Sequence, residues 1–150
     1  MKIYIVVFLL VVFAAVLFVY RQSYAAKNSK AVYEKIYKAA PAKDGIKKIT
    51  YEQFMQIRDS KESFILIDVL SPDSFAEGHI DGSVSFPLDT INKDTAGAKI
   101  PKGSNVIVYC GSFQCKASTA SAQKLSELGY KVLDYKGGLK EWQEKGNKLV

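Results

Sequence analysis

Histidine occurs once in this 150-residue chain, tryptophan once, cysteine twice and proline four times. Two thiols cannot frame a disulfide-rich miniprotein or supply a four-thiolate zinc site, so we expect no resident metal and no cofactor. Internal repeats and low-complexity stretches are also missing, which excludes a solenoid or a fibrous chain. A mean hydropathy of −0.02 excludes a polytopic membrane protein, and 12% aromatic residues argue against a disordered one. What the length does allow is one domain with an appendage.

The formal net charge is +6, which raises the question of nucleic acid. Seven of the 21 basic residues and two of the 15 acidic ones lie in positions 1–45, leaving 14 and 13 for the rest. The globular part is therefore nearly neutral, and we expect no nucleic-acid partner. Ile3–Tyr20 is an uninterrupted apolar run without Gly, Pro or charge, flanked by Lys2 and Arg21. A helix of that length spans ~27 Å, close to a bilayer's hydrocarbon core. Residues 1–22 read as a transmembrane anchor or signal segment, with membrane contact through residues 3–20. Ser23-Tyr24-Ala25 would serve as a cleavage site, releasing a soluble exported form. The expected placement is a tethered domain on the periplasmic or extracytoplasmic side.

Residues 23–45 read as a linker, with a solvated spacer helix from Asn28 or Ser29 to about Ala40, closed by Pro41 and Asp44-Gly45. Residues 46–150 form the domain. Phe64–Ile67, Val106–Tyr109 and Lys131–Tyr135 are continuous apolar strand signals, and Val84–Phe86 and Lys48-Ile49 are shorter ones. Such strands suit a parallel sheet covered on both faces. Helix signals lie between them: one capped by Thr50, one opening at Ser71-Pro72, one over Ala117–Leu128 and one over Leu139–Lys145. The pattern is three-layer α/β/α.

Ligands of open α/β sheets bind at the carboxyl ends of the strands. Cys110 stands at such an end, followed by Gly111-Ser112-Phe113-Gln114-Cys115-Lys116 and then the best helix. Loop amides and the helix N-terminus converging on its sulfur would lower the thiol pKa and make a nucleophile. The bland alternative is a small buried hydrophobe.

Further along, Ile67-Asp68-Val69, Phe75–Ser83 with its Gly78-His79-Ile80, Val108-Tyr109-Cys110, Leu128-Gly129-Tyr130 and Gly137–Trp142 occur in an order and spacing that resembles the rhodanese (sulfurtransferase) family. The resemblance covers roughly residues 46–147. It implies a five-stranded parallel sheet flanked by helices and a six-residue active loop, Cys110–Cys115. It further implies that Cys110 accepts sulfane sulfur from a small donor, thiosulfate or a persulfide, and passes it to a thiol acceptor. Gly111, Ser112, Phe113, Gln114, Cys115 and Lys116 would then bind substrate.

Family members often carry Arg or Lys where this chain has Cys115, and Arg where it has Leu70. Asp81-Gly82 stands for a common Pro-Gly. Cys115 could resolve a persulfide on Cys110 through an internal disulfide, which opens a redox-gated reading, or the loop could serve a non-catalytic, membrane-tethered binding module. A related phosphatase reading, Cys-x5-Lys116, is weaker, because lysine lacks the bidentate fork that grips phosphate. His79 is expected to be hydrogen-bonded within its turn, and Asp68 to brace loop backbone.

Overall fold

The structure is a computed structural model that describes residues 12, 13, 15–17, 32–43 and 45–150. Most of the apolar run Ile3–Tyr20, and the possible cleavage site, lie outside the described residues. No helix among the described residues is long and apolar enough to cross a membrane.

Six strands form one sheet: β1 (Ala42–Lys43), β2 (Ile46–Ile49), β3 (Ile65–Asp68), β4 (Ser83–Ser85), β5 (Asn105–Tyr109) and β6 (Lys131–Tyr135). Their order is β1-β2-β6-β5-β3-β4. The five from β2 to β4 are parallel, as expected, and β1 adds a two-residue antiparallel edge that no sequence period marks. Helices are α1 (residues 32–39), α2 (Tyr51–Asp59), α3 (Pro72–Glu77), α4 (Lys93–Lys99), α5 (Ala117–Glu127) and α6 (Gly138–Glu144).

The strand pleat sorts side chains into two cores, one on each face of the sheet. Ile107 and Tyr109 point to the side where Tyr33, Phe54, Ile57 and Trp142 pack from α1, α2 and α6. Val106, Val108 and Cys110 point to the other side, against Ala96 of α4 and Ala122 and Leu125 of α5. Thr50 caps α2 through a reciprocal pair of bonds with Gln53, as its position before the apolar stripe implies. The sequence reading has no counterpart of α4. Its capping pair Asn92–Thr95 is legible in hindsight, but only Ala96 of the helix is buried, so no apolar stripe announces it.

The spacer is a correction: α1 is docked, not solvated. Tyr33 is completely buried, and its hydroxyl lies 2.8 Å from Val106 O and 2.9 Å from Lys131 O, at the starts of β5 and β6. It also accepts from Val106 N–H. The buried Glu62 carboxylate takes the Val32 and Tyr33 N–H groups at 2.7 and 3.0 Å, capping the helix from 30 residues away. A carboxylate at a helix N-terminus is favoured both by the open N–H groups and by the helix dipole. Neither long-range partner is visible in a local sequence window.

Tyr33→Phe removes the hydroxyl from two buried carbonyls and one N–H. We expect it to cost about 1–3 kcal/mol in urea unfolding, as a buried polar group losing its partner does, with the exposed Lys35→Ala within ~0.5 kcal/mol of the parent. Equal stabilities of the two variants would show that α1 does not contribute to the folded unit.

Candidate active site

Cys110 follows directly on β5 and is completely buried on the α5 side. The loop after it is held from behind by α6. The first N–H groups of a helix lack internal partners, and here they find loop carbonyls. Leu139 N–H donates to Cys110 O at 3.0 Å and Lys140 N–H to Gly111 O at 2.9 Å. This close approach needs Gly138, whose φ is +59° and where a Cβ would overlap the Cys110 carbonyl oxygen.

With those carbonyls turned to α6, loop amides serve the sulfurs. The N–H groups of Gly111 and Ala117 are directed at the Cys115 sulfur, and that of Ser118 at the Cys110 sulfur. The Cys110 thiol also meets Ser118 Oγ at 3.4 Å and Cys115 O at 3.6 Å, and the two thiols are near enough to influence each other's ionisation. Both cysteines are free, Cys110 buried and Cys115 half-buried.

This arrangement reverses the expected ionisation. Burial, and then the neighbouring Cys115, push the Cys110 thiol up, and the Ser118 contacts offset only part of that. Burial also works against a charge on Cys115. There, however, the Cys110 thiol, the Ala117 and Gly111 N–H groups and Lys136 hold the thiol below its ordinary value. The loop amides thus favour a thiolate on Cys115, whereas burial disfavours one on Cys110.

The other loop residues named from the sequence divide by exposure. Ser112 Oγ donates to Gln114 Oε1 at 3.1 Å, Phe113 is 56% exposed at the loop tip, and Lys116 is exposed at the N-cap of α5 without a side-chain cap bond. Two residues were missed. Ser118 lies in the first turn of α5, and Lys136 follows β6 and donates to Cys115 O. Position at the carboxyl end of the strand beside β5 is the signal that would have found Lys136; it supplies the charge that the loop's own last position lacks.

His79 stacks on Phe75 with ring centroids 3.7 Å apart, and its Nδ1 lies 2.9 Å from Phe75 O. Its backbone pairs with Val150 in both directions. The expected bond within the Gly78–Gly82 turn is replaced by bonds to α3 and to the C-terminal Val150, which tie the turn to both. Asp68 accepts from Leu70 N–H at 2.9 Å, so it braces the β3–α3 turn, and burial raises its carboxyl pKa. Leu70 packs against the α5-side core. Among the described residues, no group of three or more His, Cys, Asp or Glu side chains is placed to hold a metal ion.

A lowered thiol pKa means a larger thiolate fraction at neutral pH, and a raised one a smaller. Iodoacetamide at pH 7 should therefore label Cys115 well before Cys110, with Cys110 gaining reactivity only as pH rises; peptide mapping over time reads the order, and Cys110 labelled first would contradict this geometry.

The rhodanese-like domain family model matches residues 50–145. The chain is 33% identical over 75 residues to the thiosulfate sulfurtransferase PspE of Escherichia coli, a match covering 50% of this chain and 70% of that one. It is 35% identical over 96 residues to a putative mitochondrial thiosulfate sulfurtransferase of Schizosaccharomyces pombe, covering 56% and 66%. A crystal structure of a Bacillus halodurans protein superposes with a TM-score of 0.62 at 27% identity, covering 69% of this chain and 75% of that one. The solution structure of a rhodanese-like domain from Anabaena shares the fold, with a TM-score of 0.60 at 21% identity over 69% and 77%. Since the family model takes in every element from α2 to α6, this chain belongs to the rhodanese-like family.

Proposed function

We propose that this protein is a sulfurtransferase carrying sulfane sulfur as a persulfide on Cys110. The observation that carries the reading is the clasp on the loop: α6 takes the Cys110 carbonyl and so turns the Gly111 N–H inward, where it joins the Ala117 and Ser118 N–H groups at the start of α5 beside the two sulfurs. A persulfide is an anion at its outer sulfur, and such a cradle stabilises it.

The chemistry follows from the ionisation order. The Cys115 thiolate accepts the Cys110 proton along the contact between the two sulfurs, which leaves Cys110 as the thiolate. That thiolate attacks the sulfane sulfur of a donor such as thiosulfate. A new S–S bond forms on Cys110, the donor's own S–S bond breaks, and sulfite departs with the electron pair. The loop Gly111–Lys116 surrounds the new persulfide, and a thiol acceptor then takes its outer sulfur. Lys136, beside Cys115, supplies positive charge for an anionic donor. The relatives named as thiosulfate sulfurtransferases support this donor class.

Sulfite release from thiosulfate tests the reading, because it reports the first step whatever later happens to the persulfide. We expect release by the parent protein, none by Cys110→Ser, and a roughly tenfold slower rate for Lys136→Met at low ionic strength. Equal sulfite release from the parent and Cys110→Ser would overturn it.

A further inference from the structure

We infer that Cys115 is a second reacting sulfur, which attacks the Cys110 persulfide at its inner atom and releases hydrosulfide, closing a Cys110–Cys115 disulfide within the loop. The inference rests on the sulfur-transfer reading and gives the persulfide a second fate, within the chain, beside transfer to an external thiol.

Placement comes first. The Cys110 sulfur donates to Cys115 O at 3.6 Å, so the backbone that bears the second thiol already lies against the first sulfur. The Gly111 and Ala117 N–H groups and the Lys136 charge converge on Cys115, not on Cys110. They stabilise a thiolate at the half-buried position, next to where the persulfide stands.

Leaving-group chemistry selects the atom attacked. Attack on the outer sulfur would expel Cys110 as a thiolate into a completely buried site, where burial disfavours its charge. Attack on the inner sulfur expels hydrosulfide, a small anion that water solvates readily. In thiol–disulfide exchange the better-stabilised thiolate leaves faster, so the inner route is preferred.

The step balances without an added oxidant. The outer sulfur of the persulfide takes the proton from Cys115. The Cys115 thiolate then forms a bond to the Cys110 sulfur, and the bond between that sulfur and the outer one breaks. The electron pair leaves with hydrosulfide. The sulfane sulfur is reduced, and the two cysteines are oxidised to the disulfide. Repeated turnover requires an external dithiol to reopen the loop; a single turnover does not. The reaction class is thus reductive release of sulfide from sulfane sulfur, with the first acceptor built into the chain.

The test is an end-point reaction of the parent and Cys115→Ser with thiosulfate in thiol-free buffer, so that a slower first step in the variant does not affect the result. Intact mass, peptide mapping and dissolved sulfide are measured. We expect the parent to release about one equivalent of sulfide per chain, lose the mass of two hydrogens and yield a linked Cys110–Cys115 peptide. Cys115→Ser should instead hold one extra sulfur atom on Cys110 and release no sulfide. Extra sulfur retained on Cys110 in both proteins, without sulfide, overturns the inference and leaves the sulfur-transfer reading standing. Neither sulfur uptake nor sulfide from either protein removes both. The parent's mass and sulfide decide the matter even if the variant does not fold.

Discussion

Two hydrogen bonds from the first turn of α6 to the carbonyls of Cys110 and Gly111 fix the backbone on which the reactive loop begins. A peptide N–H points opposite its carbonyl, so the Cys110 carbonyl turned to α6 leaves the Gly111 N–H facing the Cys115 sulfur. The bonds exist because a helix start has N–H groups to give and because Gly138 has no side chain to keep the two backbones apart. The Gly137-Gly138 pair is therefore a condition of the site's polarity as well as a turn.

The sheet determines which face the chemistry occupies. Successive residues of β5 alternate between the two cores, so Cys110 falls on the α5 side with Val106 and Val108, while Tyr109 points the other way. There Tyr109 binds Ile80 N–H and Ser83 Oγ, at 3.1 and 2.9 Å, and so ties the active strand to the turn that carries His79. A one-residue slip of β5 would exchange the two roles, burying the thiol under α2 and the tyrosine beneath α5. Pairing with β3 on one side and β6 on the other holds the register.

Much of this was legible in the chain itself. Continuous apolar runs ending at Asp68, Cys110 and Tyr135 revealed the central strands, because a strand buried on both faces has no polar alternation to blur it. The location of the loop and its seven candidate residues followed from the strand–loop–helix order. What escaped was set by distant partners. Glu62 caps α1 and Tyr33 reaches Val106 and Lys131, so a segment that looked solvated is part of the core. The division of charge between Cys110 and Cys115 escaped for the same reason: it depends on which sulfur the Gly111 and Ala117 amides reach, and spacing alone does not say. Lys136 contributes from a different strand end, outside any motif around the cysteines.

The central claim is that the clasp by α6 makes the loop reactive, and Gly138→Ala tests it most directly. The added methyl group cannot coexist with the present position of the Cys110 carbonyl, while the rest of α6 is untouched. Sulfite release from thiosulfate by this variant, with folding verified by urea unfolding, should be at least about tenfold slower than by the parent, a transition-state loss of ~1.4 kcal/mol. A folded Gly138→Ala protein reacting at the parental rate would contradict the account.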